Sequence, residues 1–460
     1  MTPHRPHQPL ARLGDLNVSR RQVLAGGLML ASLPLFAGCF GGGGSDAVYD
    51  QPSGDIPKQY HDRLRVVLWS SFTAHNGEIM QKNIDAFNES QNEIFCEVQV
   101  FEGYDQLESK IAASLQSRQV PDISVMSDVF WNRFYLNDVI EPLTGYFDSS
   151  FGTDSFHDVF LEEGTVKNDV WWVPFARSTP LFYFNRDAFA AVGLPDRAPE
   201  TYDEYREWGK EFLGYKNNGN DVRIRAFKGS DDWYFSGAAW AFGGGFSNGL
   251  ETTFTSEGTI AALEYERGFI HDDKVGYFGT DISGDFVAGV TATILESTGA
   301  LTSITEAAPF EVGCGFMPKQ QTTGVPTGGS GLAIFRNASE ERKQAAWEVL
   351  KFLSSGDAAV DWTLGTGYMP VTKSAMESEK VKAKASEVPN FQVAIDQLDI
   401  AQGPDTVRRY VPETIREAQQ ALQAVYSSGD DAEQTLATLE KNLEPAIDKI
   451  RAKYEAKVGN

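Results

Sequence analysis

Apolar residues recur along the chain in two periods, and the alternation between them outlines a fold. Leu64-Arg65-Val66-Val67-Leu68-Trp69 is a nearly continuous apolar run of strand length, and Ile94 to Val100 is a second. Between them Ile79, Ile84 and Phe87 mark the buried side of a helix. Leu107, Ile111 and Leu115, four apart, predict another over Asp105 to Arg118, and Pro121-Asp122-Ile123-Ser124-Val125-Met126 supplies a third strand. Strand, helix, strand, helix, strand is the pattern of a parallel sheet with helices on its faces. Ligands of such sheets sit beyond the carboxyl ends of the strands, which here means the segments after Trp69, Val100 and Met126.

A second set of elements begins near Pro180. Leu181-Phe182-Tyr183-Phe184-Asn185 reads as a buried strand, and Arg186 to Val192 as a short helix closed by Gly193. Thr201-Tyr202-Asp203-Glu204 has the form of a capping box, in which hydroxyl and carboxylate satisfy the free N–H groups of a helix start. The chain ends in a long helix with Leu436, Leu439, Leu443, Ile447 and Ile450 on one face. A coiled-coil partner could use that stripe, but Pro445 within it and its short length favour packing onto the protein's own surface. The roughly 400 residues after the first sixty are too many for one ordinary core and predict two lobes.

The first 62 residues follow a different pattern. Arg20-Arg21 precede an apolar run from Val23 to Gly38 that ends at Cys39. The run is shorter than the roughly 20 residues of a membrane span, and Gly26, Gly27 and Pro34 weaken it further. Residues 1–38 resemble a bacterial lipoprotein signal, with Leu35-Phe36-Ala37-Gly38 as a lipobox and Cys39 as the lipidated residue. Ser19-Arg20-Arg21-Gln22-Val23-Leu24 also resembles a twin-arginine export signal, although two arginines before any export signal look much the same. Gly41 to Gly44 and the polar stretch that follows, together 39–62, read as a flexible tether reaching roughly 25 to 30 Å.

Charge and chemistry narrow the function. The net charge is −24, of which residues 1–38 contribute +3, leaving −27 for the rest. A surface this acidic repels polyanions and argues against nucleic acid as a partner. Cys96 and Cys314 lie in apolar strand segments and read as buried free thiols, although spacing alone does not exclude their pairing. After Cys39 only His61, His75, His157 and His271 remain, without metal-ligand spacing. No His-Glu-x-x-His, Gly-x-Ser-x-Gly or Walker loop is present, and Gly243-Gly244-Gly245 lacks the following Lys-Ser/Thr. Carboxylates abound, so a glycoside hydrolase is the competing class, but sequence spacing does not place a catalytic pair.

Several ordered stretches resemble the extracellular solute-binding proteins of bacterial ABC importers, of the sugar-binding type. They are Phe175-Ala176-Arg177-Ser178-Thr179-Pro180, Tyr183 to Phe189, Pro199 to Tyr202, Phe286-Val287-Ala288-Gly289, Gly328-Gly329-Ser330, Ala346 to Leu353 and Thr366 to Val371. The resemblance implies an α/β fold in which two lobes form a periplasmic-binding-protein clamp of type II, with the ligand in the interlobe cleft. It implies crossings near Thr179, Thr327 and Tyr368, hence one lobe from 63–179 plus 328–368 and another from 180–327 plus 369–460. It further implies a non-enzymatic, monomeric receptor without cofactor or metal, held by lipid on the outer face of the cytoplasmic membrane and delivering a small molecule to permease subunits.

Within that family, Gly103-Tyr104-Asp105-Gln106, Asp128, Ser178, Ser297-Thr298-Gly299, Gly328-Gly329 and Gly367-Tyr368-Met369-Pro370 resemble the glycerol-3-phosphate and glycerophosphodiester binders. The resemblance places Tyr104, Asp128, Ser178, Ser297, Thr298, Gly329, Tyr368 and Arg408 around the ligand, with Arg409 an alternative to Arg408. A carboxylate such as Asp128 accepts hydroxyls, while a guanidinium fork, hydroxyls and a glycine N–H suit phosphate. Structural readings stand beside these: Tyr104 and Tyr368 as wall aromatics, Asp128 as a helix cap, Ser178 as a turn residue and Gly329 as a close crossing. Glu296 would repel a dianion if it pointed inward, so a zwitterion such as glycerophosphocholine or a neutral oligosaccharide meets less resistance. Trp233, in Asp231-Asp232-Trp233-Tyr234, is a rim aromatic able to hold a sugar or a quaternary ammonium, or a packing residue.

Overall fold

The computed structural model describes residues 47–459. The expected signal of 1–38, Cys39 and Gly41 to Gly44 lie outside the described residues. From Val48 onward the chain forms one compact unit built on two five-stranded sheets. The strands are β1 (Leu64–Ser70), β2 (Ile94–Val100), β3 (Ile123–Ser127), β4 (Val173–Ser178), β5 (Pro180–Asn185), β6 (Arg223–Phe227), β7 (Gly276–Phe278), β8 (Thr291–Ser297), β9 (Val312–Gly315) and β10 (Gly328–Ile334). Hydrogen bonding orders the first sheet β2-β1-β3-β10-β4 and the second β7-β6-β8-β5-β9.

In the first sheet β1 runs parallel to both β2 and β3, as the strand–helix alternation predicts, and β10 enters antiparallel to β3 and β4. Its core is the apolar runs themselves: Val66, Val67 and Leu68 are fully buried, as are Ile123, Val125 and Leu332. Helices Ala74–Ser90 and Gly103–Ser117 cover it with Met80, Ile84, Leu107 and Ile111. In the second sheet β5 is buried along its whole length, with Phe182 and Phe184 facing a core that includes Ile224, Phe269 and Leu295. The C-terminal helix, Ala432–Lys457, lays Leu436, Leu439 and Leu443 on that second core despite Pro445.

The chain passes between the sheets at Thr179, between β4 and β5, and returns before Gly328 at the start of β10. The next passage is drawn out. Met369 bridges to Arg177 of β4, helix Pro389–Asp396 lies on the edge of β9 through Asn390, and Val407 joins the second core.

The expected free tether is shorter than its composition suggests, because residues 48–62 are fastened along the first sheet. Gln51 Nε2 donates to Asp122 Oδ2 (2.6 Å) and to the Arg65 carbonyl (2.8 Å). Arg65 Nη1 donates to the Pro52 carbonyl (2.9 Å), and Gln99 Nε2 to that of Ser53 (2.9 Å). Tyr60 stacks on Phe95 at 4.8 Å. A Cβ on Gly54 would meet the ends of the Arg65–Glu97 ion pair, which lies directly over the strap. Polar side chains gripping backbone carbonyls hold this segment, and such contacts leave no hydrophobic period to read.

Candidate functional site

The carboxyl ends of β2 and β3 and the passages between the sheets converge on one buried cluster. Gly103, with φ of 76°, turns the chain after β2 into the helix whose second residue is Tyr104. Asp128 follows β3, and its N–H donates to the Gly329 carbonyl (3.0 Å). Gly329 has a φ of 100°, and a Cβ there would run into the Ala176 carbonyl oxygen, so both the backbone angle and the close crossing demand glycine. Ser178 ends β4 opposite Gly328. Gly367, with φ of 93°, closes helix Gly356–Thr366 and delivers Tyr368, which stacks on Trp362 at 5.7 Å.

Asp128 is 5 % exposed and its Oδ2 has no hydrogen-bond partner. Burial pushes its pKa up to about 6, opposed most strongly by the Arg177 guanidinium and then by Arg408. Burial likewise pushes the Tyr104 phenol up to about 12, and raises that of Tyr368, whose hydroxyl meets that of Tyr104, well above its ordinary value. Thr298 is fully buried, its N–H donating to the Thr179 carbonyl (3.0 Å) while its Oγ1 lacks a partner. The Ser297 hydroxyl accepts from Gly299 N–H (3.0 Å) and thereby caps a turn.

Arg408 is brought to the cluster but is committed on one side: Nε (3.2 Å) and Nη2 (2.9 Å) both donate to Asp232 Oδ2, leaving Nη1 without a partner. Arg409 donates through Nη2 to the Glu163 carbonyl (2.9 Å), and its Nε is unpartnered. Trp233 is half-buried, with its Nε1 donating to the Thr327 carbonyl (2.9 Å) and its ring against Gly328.

The rest of the Asp231 to Tyr234 stretch is not a rim. Asp231, Asp232 and Tyr234 are buried; Asp232 neutralises Arg408, and the Tyr234 hydroxyl donates to Glu296 Oε1 (2.6 Å). Glu296, expected to oppose an anion, is also held by the Ser283 hydroxyl (3.0 Å) and Ser297 N–H (2.8 Å), with Lys228 Nζ 3.6 Å away. Its charge is offset within the second lobe.

Two residues central to the cluster were not singled out from the sequence. Arg177, fully buried in β4, donates from Nη2 to Glu163 Oε2 (2.7 Å), and Thr327 Oγ1 donates to Glu163 Oε1 (2.7 Å). An arginine inside an otherwise buried strand was the available signal; Glu163, in a loop among many acidic residues, offered none. Asp128, Ser178, Thr298 and Arg408 are buried, whereas Tyr104, Trp233, Ser297, Gly329 and Tyr368 keep part of their surface exposed. A separate groove of about 490 Å³, lined by Arg186, Pro199, Cys314, Phe316, Pro389 and Ile400, lies on the outer edge of the second sheet. Cys96 and Cys314 are both free thiols, and burial raises the pKa of each.

Residues 82–390, more than half of the chain, match the family described as bacterial extracellular solute-binding protein. The chain belongs to that family. The sn-glycerol-3-phosphate-binding periplasmic protein UgpB of Yersinia enterocolitica is 27% identical over 364 residues, covering 72% of this chain and 80% of that protein. Among solved structures, UgpB from Mycobacterium tuberculosis in complex with glycerophosphocholine superposes with a TM-score of 0.78 at 31% identity, covering 84% of this chain and 98% of that one. The cyclic alpha-maltosyl-1,6-maltose binding protein from Arthrobacter globiformis shares the fold, with a TM-score of 0.72 at 20% identity over 84% of this chain and 100% of that one. This extracellular solute-binding protein is thus a two-lobed receptor serving an ABC importer, and its relatives bind rather than transform their ligands. Among the described residues no helix is long and apolar enough to cross a membrane.

Proposed function

We propose that this solute-binding protein captures a glycerophosphodiester, glycerophosphocholine being the type, or glycerol 3-phosphate, and hands it to a permease. The observation that carries the reading is the pairing, in one cluster, of a buried carboxylate with a free acceptor oxygen, Asp128, and a buried guanidinium with a free donor, Arg408 Nη1. A glycerol hydroxyl donates to the first and a phosphate oxygen accepts from the second. Likeness to the UgpB structure with glycerophosphocholine supports the same choice. Tyr104, Ser178, Ser297, Thr298, the Gly329 backbone and Tyr368 would complete the walls, and the half-buried face of Trp233 suits a quaternary ammonium.

Because Asp128, Thr298 and Arg408 are buried, capture would have the lobes part, bending where the chain passes between them: at Thr179, at Thr327 and between Tyr368 and Val407. The lobes would comprise 63–179 plus 328–368 and 180–327 plus 369–460. Lipid at Cys39, exposed by removal of 1–38, would hold the receptor as a monomer near its permease. Titration calorimetry with glycerophosphocholine, glycerol 3-phosphate and a panel of oligosaccharides tests the ligand. Glycerophosphocholine or glycerol 3-phosphate is expected to bind best, with Asp128→Ala weakening it by roughly ten- to a hundredfold. Preference for an oligosaccharide, or indifference to Asp128→Ala, would refute the assignment.

A further inference from the structure

Asp128, Gly329 and Arg177 lie level with one another across three adjacent strands. Ser127 pairs with Ser330 and Gly329 with Arg177, while the Asp128 N–H reaches the Gly329 carbonyl (3.0 Å). Neighbouring strands are ~5 Å apart, so Asp128 and Arg177 stand on either side of a residue without a side chain, and the Arg177 charge is the one that acts most strongly on the Asp128 carboxylate.

Both flanking groups have hydrogen-bonding capacity left over although both are buried. Asp128 Oδ2 has no partner, and Arg177, fully buried, is bonded only through Nη2, leaving Nε and Nη1 unpaired. Buried polar groups are nearly always partnered, and leaving one unpaired is costly, so these three atoms have room for a partner from outside the chain, a water in the unliganded cleft or a hydroxyl of the ligand that displaces it. The guanidinium is not free to turn away and find one. Glu163 holds it, Thr327 holds Glu163, and the rings of Phe160 and Trp172 sit 5.7 and 5.0 Å from it.

A group placed between a carboxylate and a guanidinium must give a proton to one and a lone pair to the other. An ammonium has nothing to offer Arg177, and an ionised phosphate has nothing to offer Asp128. A hydroxyl serves both.

We propose that Arg177 is a specificity-determining residue of the cleft, which together with Asp128 recognises a hydroxyl of a polyol seated over Gly329. This rests on the reading that the cleft takes a polyol-bearing ligand, and it adds the donor that recognises the polyol end, leaving Arg408 for the anionic end. Arg177 then sets selectivity for ligands with an underivatised hydroxyl.

Calorimetry on the full chain, comparing glycerophosphocholine with propylphosphocholine, which lacks the glycerol hydroxyls, decides the matter. The wild-type protein is expected to favour the hydroxylated ligand by at least about tenfold. Arg177→Gln should lose most of that margin, binding the two ligands within about threefold of each other, and Arg177→Lys should recover part of it because an ammonium still donates. An equal loss of affinity for both ligands in Arg177→Gln would make the residue structural and overturn the proposal. So would equal affinity of the wild-type protein for the two ligands, a result that needs no variant to fold. Tight binding of an oligosaccharide but of no glycerophosphodiester would instead sink the ligand assignment above, and the same comparison then runs on that sugar and its deoxy analogue.

Discussion

Asp128 is a buried carboxyl group, and its titration follows from that. Burial raises its pKa from 3.8 to about 6, with Arg177 the chief opposing charge. Between those values the folded chain retains a proton that the unfolded chain has lost, so stability falls as pH rises through the window. The cost is absent below 3.8 and fully felt above about 6. Asp128→Asn is therefore expected to stabilise the ligand-free protein at pH 7.5 by ~1–3 kcal/mol and to change little at pH 3.5, as thermal melts at the two pH values will show. Asp231, pushed to about 7 by burial, acts in the same direction. Retaining a destabilising carboxylate is intelligible if the ligand needs its oxygen. Tyr104 and Asp128 were singled out through the family resemblance, and they lie where a sheet's ligand is expected, after β2 and β3. Glu163, Arg177 and Asp232 were not, since what defines them is a partner 14 to 176 residues away.

At the scale of elements, the apolar pattern placed β1, β2, β3, β5 and β9 to within a residue or two, and left the other five strands unread. Helix Gly103–Ser117, expected over Asp105 to Arg118, ends where Arg118 turns left-handed with φ of 56°. Thr201 caps its helix as its motif requires, accepting from Glu204 N–H (3.0 Å), but the Glu204 carboxylate reaches the N–H of Glu200 and not that of the cap residue. The segment 48–62 escaped the same reading because its contacts depend on Asp122, more than sixty residues beyond. Asp122 accepts from Gln51 (2.6 Å), Val67 N–H (2.8 Å) and Arg342 Nε (2.6 Å), the last from the helix that follows β10. It thus joins the strap, the first strand and a distant helix. Asp122→Ala strands a largely buried arginine and a strand N–H, and urea unfolding should report a loss of ~3–5 kcal/mol. A loss below 1 kcal/mol would mean that solvent readily replaces the carboxylate.

For the whole molecule, the three drawn-together passages give a clamp, and the fastened strap alters how that clamp would be tethered. With 48–62 held to the first lobe, these residues belong to the folded body and not to a tether. Cys39→Ser is expected to move the protein from the membrane fraction to the soluble fraction, leaving its calorimetric affinity for the best ligand unchanged. Retention in the membrane fraction would show that Cys39 is not the anchor. The acidic surface, −24 in all, favours a ligand with little net charge over a dianion as the lobes part.

The sequence by itself marked β1, β2, β3 and β5 and the helices beside them through apolar period, a local property of a chain, and placed passages near Thr179 and Thr327 through its resemblance to a known family. The same resemblance singled out Asp128, Tyr104, Gly329 and Tyr368, which lie beside strand ends and sharp turns. Only the tertiary structure decided that Arg408 is shared with Asp232, that Glu296 is spent on Tyr234, Ser283 and Lys228, and that Arg177 stands across Gly329 from Asp128. Hydrogen-bond capacity is used up or left over according to what surrounds a group in space, and the order of residues does not state which neighbour claims it.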